Sequence, residues 1–338
     1  MQSEIVSHVS PVRWGVLSVA NIASKHIIPA LTASGSEKLV AVASRNGQRA
    51  RELFAHRPDV RIYEEYQKLI DDPEVEAIYN PLPNSLHAEW TIKALMAGKH
   101  VLCEKPLAVT AEEGALMIEA ARNNGTLLME AFMYRFHPQT IWALEQIRSG
   151  RMGEVRLVRA SFSFNIFMPP RHNDIRLQPK LAGGSLMDIG CYAVNFCRAV
   201  YGHAPSAVAA RVATADPGAV EHATSAVLDF GDGRFGQIDS SFALPNRQVA
   251  EVIGELGTLT IPTPFATGIH ETEVVLALEG QTIHQKISAA DAYRLEVEHF
   301  GACVRSGTSP ALNLDETLEN LATIEAIYQS AGHPWPLV

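Results

Sequence analysis

Short apolar runs alternate with longer amphipathic stretches between Val12 and about Leu128. The apolar runs are VRWGVLS, KLVAVAS, VEAIYN, HVLCEKP and TLLME. The stretches between them space their apolar positions as helices do, and AEEGALMIEAARNNG ends at Gly125, where glycine typically closes a helix. Strands and helices that alternate in this way predict an α/β fold with a doubly wound parallel sheet. Such a sheet binds its ligand beyond the carboxyl ends of its strands.

The pattern changes after Gly153, where strand-length runs follow one another closely. These runs are EVRLVRASFSFNIF, SAVAARVAT, ATSAVLDFGDGRFGQIDSSFAL, QVAEVIGELGTLTIP and TEVVLALEGQTIHQKI. DFGDGRFGQI indicates a hairpin with Asp232 and Gly233 at its tip. One long helix is predicted at GGSLMDIGCYAVNFCRAVYG, and two more are predicted near the end of the chain. This half is expected to be α+β, with an open-faced, mainly antiparallel sheet and helices on one face.

The length of the chain supports two domains, because 338 residues exceed what one hydrophobic core usually holds. We expect the α/β domain over residues 1–134 and the α+β domain over residues 135–338. No low-complexity linker separates the two halves of the sequence, so we expect them to pack tightly against each other.

Composition excludes several classes of partner and location. The net charge of −9, from 28 basic and 37 acidic residues without a basic cluster, argues against nucleic-acid binding. The apolar stretches are too short and interrupted to span a membrane, and MQSEIVSHVSP lacks the apolar core of a secretory signal. Four cysteines without a C-x-x-C pair indicate buried thiols in a reducing compartment, so we expect the cytoplasm.

The stretch GVLSVANIA, residues 15–23, joins the first predicted strand to the first helix. A dinucleotide-binding turn reads G-x-G-x-x-G, and only Gly15 matches it here, with Leu17 and Ala20 at the other two positions. Small residues at Ser18 and Ala20 still let the backbone approach a pyrophosphate, to which the helix start offers N–H groups. The alternative is an ordinary turn between a strand and a helix.

The second predicted strand ends in Ser44 and Arg45, where NAD-binding sheets usually have Asp or Glu. A carboxylate there would repel the 2′-phosphate of NADP, whereas a hydroxyl and a guanidinium group bind it. We therefore expect NADP(H) as the cofactor. The alternative is that Arg45 is a solvated surface residue.

Proline-containing turns follow two of the predicted strands. VLCEKPLAVT places Glu104, Lys105 and a proline directly after an apolar strand. Proline cannot continue the hydrogen bonding of the strand, so Lys105 is expected at the carboxyl edge of the sheet. The prolines of NPLPNSLH turn the chain similarly after the preceding strand. Both turns are therefore expected at the ligand-binding edge.

These motifs resemble the glucose–fructose oxidoreductase and inositol dehydrogenase family (Gfo/Idh/MocA). The resemblance rests on E-K-P after this strand, L-P-N-x-x-H one unit earlier and GGSLMDIGCY in the second half, and it covers almost the whole chain. It implies an N-terminal Rossmann domain that binds a nicotinamide dinucleotide, and a second domain that closes the substrate pocket and commonly mediates dimerisation. The family pattern of the first turn is closer to G-x-x-G-x-G, so this chain departs from it at Ser18 and Ala20.

The resemblance also implies roles for individual residues. Lys105 matches the lysine of E-K-P and is expected beside the nicotinamide and the substrate hydroxyl. Asp188 and Tyr192 match the D-x-x-x-[H/Y] pair, and residues four apart share one face of a helix. We therefore predict Lys105, Asp188 and Tyr192 as the catalytic residues. The predicted cofactor-binding residues are Gly15, Ser18, Ala20, Asn21, Ile22, Ser44, Arg45, Pro81, Leu82, Asn84, His87, Glu104 and Lys105.

A tyrosine at position 192 resembles one branch of the family. That branch contains NADP-dependent dihydrodiol dehydrogenases, D-xylose dehydrogenases and glucose–fructose oxidoreductase. EAFMYRFHPQ resembles the same branch, so Arg135 and His137 are predicted to line the substrate pocket together with Tyr192.

Tyr192 is predicted to exchange the proton of the reaction. Hydride transfer between an alcohol or hemiacetal carbon and a nicotinamide requires a proton to leave or join the oxygen. A phenol with a pKa of about 10 is a weak base at neutral pH, and we expect the ammonium of Lys105 to lower that pKa. The alternative is that Tyr192 is a core aromatic residue on a mostly apolar helix.

We expect an NADP(H)-dependent oxidoreductase acting on a cyclic polyol, most readily an aldose oxidised at C1 to a lactone. Oxidation of a trans-dihydrodiol and reduction of a keto sugar are alternatives, and a non-catalytic dinucleotide-binding regulator is an alternative of another class. The expected partners are a sugar or diol and further copies of the chain, as a homodimer or higher homo-oligomer. We predict no metal, because the histidines form no H-E-x-x-H motif. The substrate depends on loops such as FMPPRHNDIRLQPKL, whose conformation the pattern does not give.

Overall fold

The computed structural model describes residues 10–169 and 174–335, in which two β-sheets are flanked by helices. Within these residues the first sheet has six parallel strands. They are β1 (Val12–Leu17), β2 (Glu37–Ala43), β3 (Arg61–Tyr63), β4 (Ala77–Asn80), β5 (His100–Glu104) and β6 (Leu128–Ala131). Their order is β3-β2-β1-β4-β5-β6, so it reverses between β1 and β4. Sheets of this kind bind ligands at such a reversal, beyond the carboxyl ends of the strands.

Helices connect the parallel strands as the apolar pattern predicts. They are α1 (Ile28–Ala33), which continues a π-helical turn over Ala23–Ile27, α2 (Gly47–Leu53), α3 (Tyr66–Ile70), α4 (His87–Met96) and α5 (Ala111–Asn123). The side chain of Thr110 caps α5 by accepting a hydrogen bond from the backbone N–H of Glu113 at 3.1 Å. The predicted glycine ending is confirmed at Gly125, which has φ +62° just after α5.

The second sheet has eight strands within the described part of the chain. They are β7 (Val155–Ser163), β8 (Ala207–Thr214), β9 (Glu221–Asp229), β10 (Phe235–Ser241), β11 (Arg247–Gly254), β12 (Gly257–Ile261), β13 (Thr272–Leu278) and β14 (Gln281–Ile287). Their order is β14-β13-β12-β11-β7-β10-β9-β8, and β7 and β10 are the parallel neighbours in an otherwise antiparallel sheet. The predicted hairpin is confirmed between β9 and β10, where Asp232 and Gly233 both have positive φ. The predicted fold class is therefore confirmed.

In the described part of the second half of the chain, four helices accompany or follow the strands of the second sheet. They are α6 (Pro138–Arg148), α7 (Cys191–Tyr201), which continues a π-helical turn over Leu186–Gly190, α8 (Ala292–Ser306) and α9 (Leu314–Ser330). Helices α6, α7 and α9 pack against strands of this sheet and bury its inward-facing side chains. Alternate side chains on the other face, such as Val227 on β9 and Phe235 on β10, are exposed.

Helix α8 packs against the first sheet although it lies near the end of the chain. Glu37, on β2, is buried and accepts hydrogen bonds from the indole N–H of Trp14 at 2.7 Å and from Arg305 at 2.8 Å. The rings of Trp14 and Phe300 are 5.7 Å apart. A division of the chain at residue 134 stays a prediction, and α8 joins its two parts physically. No helix within residues 10–169 and 174–335 is long and apolar enough to cross a lipid bilayer.

Candidate active site

A cavity of about 620 Å³ lies beyond the carboxyl ends of β1, β2, β4 and β5. Most of the predicted site residues line it. They are Ser18, Ala20, Asn21, Ile22, Arg45, Pro81, Leu82, Asn84, His87, Glu104, Lys105, Asp188 and Tyr192. Both halves of the chain contribute, because the loop and helix between β7 and β8 form one wall. Residues 170–173 of the predicted pocket loop FMPPRHNDIRLQPKL and residues 1–9 of the leader lie outside the described residues.

The turn after β1 has an unusual backbone at Ser18. This residue has φ +85°, in the left-handed region that favours glycine, and the resembled family has glycine at this position. Its backbone N–H donates to the carbonyl of Ala43 at 2.6 Å, which ties the turn to the end of β2. Ile22, the N-cap of the following helix, offers no side-chain acceptor to the first N–H groups. The turn therefore presents these groups to an anion.

Two arginines from the region after β2 line the cavity. Arg45 was predicted, whereas Arg49, four residues later on α2, was not. The guanidinium group of Arg49 donates to the side chain of Asn21 at 3.4 Å, across from the first turn. Ser44, in contrast, is buried and does not line the cavity. Its hydroxyl forms hydrogen bonds with the backbone of Asn46 at 3.2 Å. Arg45 and Arg49 therefore line the cavity whereas Ser44 does not, and a phosphate site at the end of β2 stays a prediction.

The predicted turn after β4 is held by the buried ring of His87. Its two ring nitrogens lie 2.9 Å from the carbonyl oxygen of Pro106 and 2.7 Å from that of Leu82. Burial lowers the pKa of His87 to about 4, so the ring is neutral and donates to one of them. His87 thus joins this turn to the E-K-P turn. Nearby, the amide of Asn84 donates to the carbonyl of Ala182 at 2.8 Å and links the two halves.

Lys105 reaches from the end of β5 to Asp188 in the second half of the chain. Its ammonium donates to the carbonyl oxygen of Asp188 at 2.7 Å and to the carboxylate at 3.2 Å. Burial alone would lower the pKa of Lys105, but the negative charges around the ammonium, that of Asp188 first, outweigh it. The pKa of Lys105 is therefore raised, and the side chain stays an ammonium at neutral pH.

Arg176 extends this charged contact, and the sequence patterns did not indicate it. Its guanidinium group makes a two-pronged contact with Asp174, at 2.8 Å for both pairs, and lies 3.5 Å from the second carboxylate oxygen of Asp188. Arg176, Asp174 and Asp188 all line the cavity. Charged and hydrogen-bonding groups therefore surround the ammonium of Lys105.

Tyr192 lines the cavity next to Lys105, but its environment differs from the prediction. The ammonium of Lys105 lies over the ring of Tyr192, 5.1 Å from its centre. The hydroxyl of Tyr192 donates a hydrogen bond to the sulfur of Met133 at 3.5 Å. The ring packs among Phe132, Tyr134 and other aromatic side chains and is 6% exposed. Burial raises the pKa of Tyr192 well above its usual value. The expected lowering by Lys105 is therefore wrong, because the ammonium faces the ring and the phenol is desolvated.

A second carboxyl group, Glu104, lies beside Lys105 and accepts a hydrogen bond from the hydroxyl of Tyr79. Burial raises the pKa of Glu104. Behind it, Glu296 on α8 is fully buried, and neither of its carboxyl oxygens has a hydrogen-bond partner among the described residues. Burial, together with the charge of Glu104, raises the pKa of Glu296 well above its usual value. These surroundings therefore favour the protonated form of Glu296.

Three further predicted residues lie away from the cavity. Gly15 is inside β1, where a side chain would collide with Leu69, so packing accounts for this glycine. Arg135 pairs with Glu316 at 2.5 Å. His137 is buried and caps α6, accepting from the backbone of Gln139 at 3.2 Å. Arg135 and His137 therefore do not line this cavity, because their side chains are held against α9 and α6, and a role in substrate binding stays a prediction.

Among the described residues no group of three or more His, Cys, Asp or Glu side chains could hold a metal ion. The four cysteines are buried and unpaired within that part of the chain. Cys303 and His299 share one helical face and lie 3.6 Å apart on α8. Neither residue lines the cavity.

Two family models match the chain over both of its halves. The model described as "Oxidoreductase family, NAD-binding Rossmann fold" matches residues 12–132, and that described as "GFO/IDH/MocA C-terminal domain" matches residues 141–260. The chain belongs to the Gfo/Idh/MocA oxidoreductase family. As a Gfo/Idh/MocA protein, it is an oxidoreductase whose first sheet forms an NAD-binding Rossmann fold.

Relatives of this Gfo/Idh/MocA chain cover nearly its whole length. A D-xylose 1-dehydrogenase (NADP(+)) of Haloferax volcanii is 39% identical over 94% of this chain and 97% of its own. A trans-1,2-dihydrobenzene-1,2-diol dehydrogenase of Xenopus laevis is 31% identical over 94% and 97%. The crystal structure of KijD10, a 3-ketoreductase from Actinomadura kijaniata in complex with NADP and TDP-benzene, is 31% identical, with a TM-score of 0.89 over 95% of this chain and 98% of that one. By their names, the first two relatives are dehydrogenases of D-xylose and of a dihydrodiol, and KijD10 is a 3-ketoreductase.

Proposed function

We propose that this chain is an NADP(H)-dependent oxidoreductase that transfers a hydride between the nicotinamide and a cyclic polyol, and that its preferred reaction oxidises an aldose at C1 to a lactone. The observation that carries the proposal is the meeting of Lys105, Asp188 and Tyr192 in the cavity that also contains Arg45 and Arg49. The strands before Arg45 and Lys105 are three positions apart, roughly 14 Å at the usual strand spacing. That span suits a ligand with a phosphate at one end and a reacting ring at the other.

The donor groups in the cavity fit NADP(H). The turn at Ser18 and the start of the following helix offer backbone N–H groups to a pyrophosphate. Arg45 and Arg49 offer positive charge to a 2′-phosphate. The carboxylates that line the cavity belong to other parts of the chain; they are Glu104, Asp174 and Asp188. The residues up to 134 would bind the cofactor. The later residues would provide most of the contacts with the substrate.

A bound nicotinamide would supply the hydride acceptor for oxidation or the donor for reduction. The protein's own groups would handle the oxygen and its proton. Lys105, kept as an ammonium by Asp188, would donate a hydrogen bond to the substrate oxygen and stabilise negative charge there. Tyr192 would exchange the proton at that oxygen, and Asp188 would orient Lys105.

The substrate class follows from polar groups around Lys105. Asp174, Arg176 and Asp188 offer both acceptors and donors to hydroxyl groups on a ring. The 39% identity with a D-xylose 1-dehydrogenase supports an aldose. A second candidate is reduction of a keto sugar, favoured by Tyr192, because a phenol with a raised pKa carries its proton at neutral pH and can donate it.

The experiment is a comparison of both reaction directions with both cofactors. Purified protein with NADP⁺ or NAD⁺ is tested against aldopentoses, aldohexoses and a trans-dihydrodiol, and with NADPH against keto sugars, by following absorbance of the reduced cofactor. We expect the highest kcat/KM with NADP⁺ and an aldopentose, with a lactone as product. Highest efficiency with a keto sugar would favour the second candidate. Tight NADP(H) binding without turnover of any substrate would indicate a regulator instead.

The proposal includes a cytoplasmic homodimer or higher homo-oligomer. Four buried, unpaired thiols within the described residues support a reducing compartment. The exposed face of the second sheet, with Val227 and Phe235 on adjacent strands, supports pairing with a second copy.

A further inference from the structure

A buried glutamate from the second sheet caps the helix that carries Asp188 and Tyr192. Glu221 is the first residue of β9 and is fully buried. Its carboxylate oxygen Oε1 accepts a hydrogen bond from the backbone N–H of Leu186 at 2.7 Å, at the start of that helix. No side chain within the helix itself makes this bond, because the N-cap there is Ser185 and has no capping hydrogen bond. The cap therefore comes from a residue 35 positions later in the chain.

Gly184 shows how closely Glu221 approaches this turn. It has φ +118°, and a Cβ atom at this position would overlap both carboxyl oxygens of Glu221. Glycine is therefore required here both by the backbone conformation and by the carboxyl group. The carbonyl of Gly184 accepts from the backbone N–H of Asp188 at 3.0 Å, and the carbonyl of Asp188 accepts from Lys105. A continuous chain of hydrogen bonds and close contact thus runs from Glu221 to the ammonium of Lys105.

The charge of Glu221 changes in the neutral range. Burial raises its pKa to about 7, although the N–H groups at the helix start oppose this rise. The titratable group that faces it from α9 is Tyr328, and Cys191 on α7 lies beside Tyr328. Burial raises the pKa of both, so both stay neutral. His222, the next residue on β9, points to the opposite side of the strand and contacts Phe167.

We propose that Glu221 is a positioning residue, whose carboxylate holds the start of the Asp188–Tyr192 helix in the geometry that Lys105 requires. The proposal rests on the proposed function for its effect on turnover. An ionised carboxylate binds the N–H groups of a helix start more strongly than a neutral group does, and it complements the positive end of the helix dipole. The N–H of Leu186 lowers the pKa of Glu221, so the cap bond is stronger to the ionised carboxylate as long as Glu221 stays buried on β9. Exposing Glu221 to water in global unfolding has the opposite pH dependence, because burial raises its pKa overall. A displacement of reacting groups by about 1 Å costs roughly a hundredfold in rate, so a partial loosening has a measurable effect.

The test compares the wild type with Glu221→Gln between pH 5.5 and pH 8.5. Glutamine keeps the volume and an acceptor for Leu186 but not the charge, so it mimics the protonated side chain. We expect similar kcat at pH 5.5, a rise in kcat of roughly tenfold toward pH 8.5 in the wild type, and little rise in the variant, with the KM for NADP⁺ unchanged. Glu37→Gln is the matched control. Glu37 is also a buried, hydrogen-bonded glutamate, but it lies on β2, faces α8 and does not contact the Asp188–Tyr192 helix. It should lower thermal stability and leave the pH profile of kcat unchanged.

Amide hydrogen exchange of the peptide over residues 184–192 gives a readout that does not need turnover. We expect exchange to be faster in Glu221→Gln than in the wild type at pH 8.5 by roughly tenfold, and equal at pH 5.5. Failure of the wild type to turn over any substrate would contradict the proposed function, while this exchange difference would still support the cap. Equal exchange at both pH values, identical pH profiles of kcat, or the same change in Glu37→Gln would overturn the role of Glu221.

Discussion

The ammonium of Lys105 lies 2.7 Å from the carbonyl oxygen of Asp188 and 3.2 Å from its carboxylate. These residues are 83 positions apart, one at the end of a strand of the first sheet and the other at the start of a helix on the second. Because the contact crosses between the two halves, the orientation of the ammonium depends on their docking. Substitutions around it should therefore affect turnover more than cofactor binding.

Tyr192→Phe tests whether the phenol exchanges the proton. We expect kcat to fall by roughly 10²–10⁴-fold with cofactor affinity unchanged, because the ring and its packing are kept. The matched control is Tyr134→Phe, a buried tyrosine of the same aromatic cluster whose hydroxyl bonds Asn195. That change should lower stability by about 1 kcal/mol and leave kcat close to the wild-type value. A kcat of Tyr192→Phe within about threefold of wild type would make Tyr192 a core residue.

Lys105→Met tests the ammonium in the same way, by steady-state and single-turnover rates. We expect a similarly large loss of kcat, and the double variant with Tyr192→Phe should be little slower than the slower single variant, because groups acting as a unit are not additive. The raised pKa of Tyr192 also predicts that its ionisation produces no limb in the kcat profile below pH 10. Multiplicative losses in the double variant would show that the two groups act independently.

Arg45 and Arg49 should set the preference for NADP(H). Each charge-assisted contact with a phosphate contributes roughly 1.5–3 kcal/mol, so Arg45→Asp or Arg49→Gln should weaken NADPH binding more than tenfold while changing NADH binding little. Titration calorimetry with both cofactors measures this. Arg51→Gln is the control, since Arg51 lies on the same helix but pairs with Glu64. Equal efficiency of the wild type with both cofactors would contradict the prediction.

Ser18→Gly should stabilise the protein. A non-glycine residue in the left-handed region costs roughly 1–2 kcal/mol, and the entropy that glycine adds to the unfolded chain offsets part of this gain. A net gain of about 0.5–1 kcal/mol is expected in denaturant unfolding. Ser18→Ala keeps the strained φ and should show no gain. A loss of stability in Ser18→Gly would mean that the hydroxyl contributes more than the backbone strain costs.

The raised pKa of Glu130 predicts that the free energy of unfolding falls as the pH rises. It is buried on β6, accepts from the backbone N–H of Leu107 at 2.9 Å, and has a pKa raised by burial to about 8. The folded chain therefore retains a proton that the unfolded chain releases at its ordinary pKa, so the free energy of unfolding falls between about pH 5 and pH 8. Glu130→Gln should flatten this fall in thermal unfolding. Glu89→Gln, an exposed residue paired with Lys93, should leave it unchanged.

The open face of the second sheet should mediate self-association. Phe235→Lys places a charge among exposed side chains on β9 and β10, so it should shift the mass measured by light scattering at micromolar concentration toward the monomer. Leu116→Lys on α5 adds the same charge at another exposed apolar residue and should have no such effect. A monomeric wild type would contradict the prediction.

Local sequence patterns predicted the elements well because apolar periodicity reports burial directly. The proline turn after β5 predicted Lys105 at the edge of the sheet, whereas the family resemblance implied that it meets Asp188 and Tyr192. Arg49 was missed, although it lies only four residues after Arg45, in the first turn of α2. The ion pair that takes Arg135 to Glu316 could not be foreseen, because the partner is 181 residues away.

The burial of Tyr192 and the cap from Glu221 also depend on distant chain segments. The desolvation of the Tyr192 phenol comes from aromatic residues on several other elements. Glu221 reaches the start of the helix because the pairing of β9 with β8 and β10 holds it there. Sequence spacing therefore predicts which side chains share a site, whereas their protonation depends on the complete fold.

The contact of Arg305 with Glu37 has a consequence for how the protein is made. During synthesis the first sheet emerges long before α8, and until then Glu37 lacks its positive partner and Trp14 lacks the ring of Phe300. Removing one partner of a buried ion pair costs roughly 3–5 kcal/mol. A nascent chain that stops before Arg305 therefore holds an incomplete nucleotide-binding half. Helix α8 completes the first sheet only late in synthesis, so a premature stop before Arg305 should yield a fragment that is degraded as unfolded protein.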